Sequence, residues 1–226
     1  MSSDQEQPKG ILRINATFGF GRRHLAPLIS EFAHRYTELE VVLELSDRPL
    51  DLTEHAMDVG IRFGLPPDAR VIARPIAANR RLLCAAPAYL SRYGCPQRPS
   101  DLNAHRCIVI RENTATFNNW ALHNGEQHVM VKVSGPLSTN HGEIAVDWAL
   151  AGHGILLRSE WDVSGHLRRG ELCQILPEWT GNQADIHAIY LPRHYMPSKI
   201  STFIAFLEQH FADFRAMSVD RAREAW

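Results

Sequence analysis

The chain has 226 residues, of which 45% are hydrophobic and 22% charged, which is ordinary for a globular protein with one or two buried cores. Lysine and arginine total 24 against 25 aspartate and glutamate, and the arginine pairs are dispersed, so the composition excludes a basic stripe that would neutralise nucleic-acid phosphates. The polar residues after Met1 give no signal for secretion or membrane insertion, so we expect a cytoplasmic protein without a membrane partner.

The first part of the chain alternates between strands and helices. Hydrophobic spacing predicts a strand over 11–16, a turn over 17–21, a helix over 24–36 and a second strand over 41–45. Alternation of this kind is typical of a parallel α/β sheet.

The segment Asp58-Val-Gly-Ile-Arg-Phe-Gly64 is the next predicted strand, and it places a cation where α/β sheets bind anions. Arg62 points away from the apolar side chains of this strand, because successive side chains alternate. An unpaired arginine in a sheet that is buried on both faces is costly. Two alternatives therefore stay open: Arg62 pairs with Asp58 or Asp51 inside the chain, or it meets an anionic ligand.

The second part of the chain reads as a second α/β unit. An apolar-rich segment over 71–86 is expected to cross into it. The predicted elements that follow are a helix over 88–93, strands over 107–111, 129–133 and 154–157, and a helix over 143–151. A strand over 186–191 leads back, and a helix over 200–211 returns to the first unit. A chain that leaves a unit and returns to it has two crossover strands, and the cleft between two such lobes is a natural ligand site.

Two predicted helix starts offer backbone N–H groups that favour anions. The first follows Gly19-Phe-Gly21, which looks like a dinucleotide fingerprint, but His24 stands where the third glycine is required. This turn is either an ordinary strand-to-helix connection or a carboxylate or phosphate site. At the second start, Asn140 either only caps the helix or leaves amides for a ligand, and His141 either lies at the surface or pairs with a ligand carboxylate, which would make affinity depend on pH.

Signatures of catalysis, cofactors and metals are missing from the sequence. No GxSxG elbow, P-loop or kinase set is present, so we expect neither an enzyme nor a cofactor. The twelve histidines lack a tight ligand spacing, so we expect no metal site. The cysteines lack CxxC spacing and are expected to be buried thiols rather than bridges or metal ligands; they are Cys84, Cys95, Cys107 and Cys173.

Several segments together resemble the effector-binding domain of LysR-type transcriptional regulators, and their number and order carry the resemblance over residues 10–214. They are Gly10-Ile-Leu-Arg-Ile-Asn15, His24-Leu-Ala-Pro-Leu-Ile29, Asp58-Val-Gly-Ile-Arg62, Ala85-Ala-Pro-Ala-Tyr-Leu90, Ala149-Leu-Ala-Gly-His-Gly-Ile155 and Gly170-Glu-Leu172. The resemblance implies an α/β fold of two Rossmann-like lobes joined by two crossover strands, similar to periplasmic binding proteins of type II. We place the first part of lobe I at 10–85, lobe II at 86–189, the return to lobe I at 190–214, and flexible tails at 1–9 and 215–226.

The resemblance also implies a function. A small metabolite, expected to be an organic acid, binds between the lobes and regulates DNA binding through a dimer, with a higher oligomer in the full-length protein. DNA is bound by a winged helix-turn-helix that precedes this domain in the family and is absent from this chain. The alternative is a stand-alone solute-binding protein of the same fold, which would require export.

The expected site residues fall into two groups. The effector contacts are Thr17, Phe18, Gly19, Phe20, Arg62, Phe63, Gly64, Asn140, His141 and Gly142. The resemblance places a dimer interface on two helices, at Leu25, Leu28, Ile29, Phe32, Val146, Trp148 and Leu150, and the alternative is that these helices are buried within their own lobes.

Overall fold

The structure is a computed structural model that describes residues 7–47, 50–66, 70–111, 118–182 and 184–223, with the backbone alone from residue 213 onward. It divides into two compact units. Unit 1 consists of Met1–Ala78 and Asp185–Trp226, and unit 2 is the continuous segment Asn79–Ala184. Unit 2 is therefore inserted into unit 1.

The strands in chain order are β1 (Gly10–Thr17), β2 (Leu39–Ser46), β3 (Val59–Phe63), β4 (Ile72–Ala77), β5 (Arg81–Ala85), β6 (Cys107–Ile110), β7 (Asn119–His123), β8 (His128–Lys132), β9 (Ser138–Thr139), β10 (Ile155–Ser159), β11 (Cys173–Gln174), β12 (Thr180–Gly181) and β13 (Ile186–Tyr190). The helices are α1 (Phe18–Phe20), α2 (Ala26–Arg35), α3 (Pro87–Tyr93), α4 (Gly142–Leu150), α5 (Glu160–Arg168) and α6 (Ser198–Arg223). A π-helical turn at Gly21–Leu25 joins α1 to α2, and a 3₁₀ helix spans Pro99–Ala104.

Unit 1 is built on a mixed sheet with the strand order β2-β1-β3-β13-β4. β1 pairs in parallel with β2 and β3, whereas β13 is antiparallel to β3 and β4. The centre of the sheet is buried on both faces, since Ile14 and its neighbour Asn15 are both fully buried in β1. Aromatic contacts join α2 to α6, where Phe32 lies 5.1 Å from Phe203 between ring centroids. Apolar burial of this kind is the main force that holds both helices in place.

Unit 2 has a five-stranded sheet with the order β11-β5-β10-β6-β9 and a small antiparallel sheet with the order β12-β7-β8. Alternate residues of β5 enter different cores: Leu83 packs with Trp120 of β7, and Cys84 packs with Val146 of α4 and Val163 of α5. The five-stranded sheet thus has a hairpin-containing layer on one face and a helical layer on the other.

The unit boundaries differ from those expected from the sequence. The chain crosses after Ala78 and after Ala184 rather than after residues 85 and 189. The physical reason is strand pairing: β5 pairs with β10 and β11 in unit 2, whereas β13 pairs with β3 and β4 in unit 1.

Several elements also differ from the sequence predictions, among them three helical segments. Helical structure begins at Phe18, where a turn was expected. α5 was not predicted, although its cap is visible in the sequence as Ser159, whose hydroxyl accepts a hydrogen bond from the Trp161 amide. Residues 215–223, expected to be a flexible tail, continue α6.

The four cysteines are free thiols. Cys84 and Cys107 are buried as expected, and burial raises the pKa of each thiol to about 12. Cys95 is exposed, contrary to the expectation of four buried thiols, and Cys173 is half-buried.

Within the described ranges, no helix is both long and apolar enough to cross a bilayer. Those same ranges contain no cluster of three or more histidine, cysteine, aspartate or glutamate residues that could hold a metal ion.

Candidate functional site

Arg62 is a buried cation whose hydrogen-bond acceptors are all neutral. Only 5% of the residue is exposed. One terminal nitrogen, Nη2, donates to Asn15 Oδ1 at 2.5 Å and more weakly to the Leu50 carbonyl at 3.4 Å. The other, Nη1, donates to the carbonyls of Ile61 at 3.1 Å and Asn15 at 3.4 Å. The buried Nε–H has no acceptor among the described residues.

The acids that the sequence offered as partners for Arg62 are engaged elsewhere. Asp58 Oδ2 lies 2.6 Å from the Lys199 ammonium of α6 and accepts a hydrogen bond from the Arg13 amide at 3.0 Å. Asp51 accepts hydrogen bonds from the backbone amides of Thr53 and Glu54. Across the described chain, Arg62 forms no ion pair within 4.0 Å. The intramolecular alternative raised by the sequence is therefore not the arrangement in this structure.

Burial of a guanidinium without a counter-charge has an energetic cost. Loss of hydration lowers the pKa of Arg62 from 12.5 to about 10. The group still carries its charge at neutral pH, so the cost is present under physiological conditions. An arrangement of this kind offers an anion a binding partner that has already lost its water.

Gly60 makes room for this guanidinium. Gly60 and Arg62 point to the same face of β3, and the guanidinium folds back over the glycine. A Cβ atom at Gly60 would lie 3.2 Å from Arg62 Cζ and 2.9 Å from Ile189 Cγ1. The contact with Ile189 is closer than real Cβ atoms come and the contact with Arg62 is tighter than most, so a side chain at Gly60 would force these neighbours to shift.

The predicted contacts around the start of the first helix are divided between surface and core. Thr17 precedes α1 in extended conformation, and Phe18 is 37% exposed. Phe20 is buried and packs edge-on against Phe63 at 5.5 Å between ring centroids. Gly19 is buried as well. Phe20 is thus a core residue that supports the end of β3.

Two local backbone features mark this end of unit 1. Gly64 adopts φ +78°, which favours glycine, and its amide donates to the Asp185 carbonyl at 2.8 Å. The π-helical turn places Gly21 against β2, since a Cβ there would lie 2.2 Å from Leu45 Cδ2. π-helical turns are rare in proteins, and those that do occur are often found at functional sites.

The other predicted effector contacts lie in unit 2, at the start of α4. His141 is the residue before this helix, and its amide donates to Thr139 Oγ1 at 3.0 Å. Asn140 is exposed, and the N-cap position of α4 is occupied by His141, whose side chain forms no capping hydrogen bond.

Arg158, which the sequence analysis did not single out, lies against the same helix start. A Cβ at Gly142 would lie only 1.8 Å from Arg158 Nη2. Arg158 also forms an ion pair with the nearly buried Asp162, with 2.7 Å between Nε and Oδ2. The positive end of the helix dipole repels a cation placed at the N-terminus of the helix. The cation and the positive end of the dipole both attract an anion.

Four of the seven predicted interface residues are core residues. Leu25, Leu28, Phe32 and Val146 are each at most 5% exposed. They cannot offer appreciable surface to a second chain. Ile29, Trp148 and Leu150 are partly exposed, so the interface prediction depends on these three.

Asn15 and Arg158 are the polar residues that sequence reasoning missed. Asn15 interrupts an apolar strand pattern in Ile14-Asn15-Ala16, and this buried-strand position was the available signal. Arg158 had no comparable signal, because its contact with Gly142 joins two elements across the fold.

Residues 5–212 match the family model described as LysR substrate binding domain. The chain is 41% identical over 213 residues to the HTH-type transcriptional regulator DmlR of Escherichia coli (strain K12), covering 94% of this chain and 69% of that protein. It is 45% identical over 201 residues to the HTH-type transcriptional activator TtdR of the same strain, covering 89% of this chain and 64% of that protein. The chain therefore spans about two thirds of these relatives.

Solved structures agree with the sequence matches. CrgA, a LysR-type transcriptional regulator from Neisseria meningitidis, superposes with a TM-score of 0.81 at 28% identity, covering 92% of this chain and 70% of CrgA. The regulatory domain of AphB from Vibrio vulnificus gives a TM-score of 0.71 at 26% identity, covering 89% of this chain and 98% of that domain. The relatives are named as regulators and not as enzymes, in agreement with the expectation from sequence. The chain belongs to the LysR substrate-binding domain family, with two α/β lobes of the periplasmic-binding-protein type, and is the effector-binding part of a LysR-type transcriptional regulator.

Proposed function

We propose that this domain senses a small organic acid and that Arg62 attracts its negative charge. The observation that carries the proposal is the burial of Arg62 with neutral acceptors alone. A charge held in surroundings of low dielectric acts over a longer distance than one in water, so an anion need not replace the existing hydrogen bonds to be attracted.

The start of α4 is proposed as a second set of effector contacts. Amides of the first helical turn, the imidazole of His141 and the guanidinium of Arg158 would each favour a carboxylate. The three groups lie within unit 2, and the contact of Arg158 with Gly142 supports their proximity.

Regulation is proposed to act through a change in the arrangement of the two units. A ligand that binds one arrangement more tightly than the other shifts the population toward it. In a cytoplasmic homodimer, or in a higher oligomer of the full-length protein, that shift would alter how the DNA-binding parts are presented.

Thermal unfolding with added acids tests the proposal. We expect succinate or benzoate to raise the melting temperature in a concentration-dependent way, because a ligand that binds only the folded state stabilises it by about 2.7 kcal/mol at 100 times its Kd. Arg62→Met should abolish this rise. The matched control is Arg74→Met, which removes an exposed arginine of unit 1 that pairs with Glu208.

The control is expected to keep the full response to both acids. An undiminished response in Arg62→Met would show that Arg62 has a structural role alone. If neither acid nor inorganic phosphate shifts the wild-type chain, the proposal of an acidic effector for this domain is wrong.

A further inference from the structure

Asn15 is the nearest hydrogen-bond acceptor of Arg62. It is fully buried in β1, and its Oδ1 accepts the shortest hydrogen bond that Arg62 donates, at 2.5 Å. A carboxylate at this position would have nearly the same shape and would neutralise the guanidinium directly. The chain has an amide there instead.

The amide is held in one orientation by its other contacts. Asn15 Nδ2 donates to the Glu44 carbonyl at 2.9 Å and to Ser46 Oγ at 3.1 Å. The Glu44 carbonyl accepts only, so the nitrogen of the amide must face β2 and the oxygen must face Arg62. An aspartate would lose the donor toward β2 and would place an oxygen against a carbonyl oxygen.

Asn15 therefore supplies an acceptor for Arg62 without supplying a charge. The same residue joins three neighbouring strands, because it lies on β1, bonds to β2 through Nδ2 and to β3 through Arg62. The guanidinium is thus fixed in position while its positive charge stays uncompensated among the described residues.

We propose that the neutrality of Asn15 makes the domain selective for anionic over neutral ligands. This inference rests on the proposed function and names the residue that sets its ligand class. Asn15 is a positioning residue that acts through Arg62, and its neutrality leaves the charge of Arg62 available to the ligand.

The neutral amides of the same acids measure this selectivity. Titration calorimetry of the whole chain compares succinate with succinamide and benzoate with benzamide. In the wild type we expect each acid to bind more tightly than its amide by about tenfold or more. Asn15→Asp places a carboxylate beside Arg62, so its affinity for both acids is expected to fall by about tenfold or more, and the preference for acid over amide is expected to disappear.

A second variant separates neutrality from geometry. Asn15→Ala removes the amide that fixes the guanidinium but adds no charge, so its affinity for both acids is expected to fall while each acid still binds more tightly than its amide by about tenfold or more. Loss of the preference for acid over amide in this variant would overturn the inference, because the geometry of the amide and not its neutrality would then set the selectivity. This comparison tests the inference even if Asn15→Asp does not fold.

The failures of the two proposals are distinguishable. If the wild type binds neither acid, the proposed function fails. If the wild type binds an acid and Arg62→Met abolishes binding, while Asn15→Asp retains both affinity and selectivity, the function stands and the role assigned to Asn15 is wrong.

Discussion

At the scale of single residues, the sequence pattern identified a cation that the fold buries. Arg62 was predictable because one arginine interrupts an apolar strand that ends in glycine. Its relation to Asn15 and Gly60 was not predictable, because it depends on the register of β1 against β3, in which Asn15 pairs with Gly60. A strand pattern specifies which face a side chain takes and leaves its cross-strand partner open.

Gly60→Ala tests whether the close packing of Arg62 and Ile189 over this position requires a glycine. The added methyl group would meet Arg62 and Ile189, and overpacking of this kind costs about 1–3 kcal/mol of unfolding free energy. Urea denaturation measures the loss. The control is Gly165→Ala in α5, where the methyl would meet only the flexible end of Arg169 at 3.3 Å, and where alanine is favoured by about 0.5–1 kcal/mol. Equal stability of Gly60→Ala and the wild type would show that the guanidinium does not require this space.

At the scale of elements, buried polar contacts join helices to strands where apolar packing alone would not specify position. Asp58 precedes β3 and binds both the Arg13 amide of β1 and the Lys199 ammonium of α6. The start of α6 is fixed in this way beside the inner strands β1 and β3 of the unit 1 sheet. The sequence predicted a helix here from its apolar spacing, but no local pattern connects Lys199 with an aspartate 141 residues earlier.

Two ion pairs of α6 differ in burial and provide a matched comparison. Asp58→Asn removes the charge from a carboxylate that is 10% exposed, and we expect a loss of about 1.5–3 kcal/mol, the range for hydrogen bonds to charged groups. Glu208→Gln weakens the Arg74–Glu208 pair, whose side chains are 52% and 31% exposed, and exposed pairs contribute about 0–1 kcal/mol. Denaturant midpoints of the two variants give the comparison. A larger loss in Glu208→Gln than in Asp58→Asn would contradict this ranking.

At the scale of the whole molecule, order and number of weak motifs predicted the family and the two-lobed fold, and the matched relatives confirm both. The positions at which the chain crosses were displaced by about one strand. β5 and β13 each lie next to a crossing, and their composition does not reveal which sheet they join. Pairing partners in sheets are long-range choices that local sequence specifies weakly.

The dimer prediction belongs to this scale as well. With four of the expected residues in the core, we expect Trp148→Asp on α4 and Ile29→Asp on α2 to weaken self-association, because each places a charge at a partly exposed apolar position. Sedimentation equilibrium of the chain measures the dissociation constant. Glu31→Lys on the exposed face of α2 serves as a control for charge alone. An unchanged dimer in both aspartate variants would place the interface elsewhere.

The insertion of unit 2 into unit 1 has a consequence for synthesis on the ribosome. Residues 79–184 form a continuous unit that is complete as soon as it emerges, whereas β3 and β4 must wait for β13, which lies between them. Translation adds about 5–20 residues per second, and domains generally fold as units while it proceeds. For several seconds, therefore, the strand that carries Arg62 has an unpaired edge, and such edges are prone to wrong pairing. Unit 1, which contains the first residues to be synthesised, is therefore the later of the two units to complete its fold.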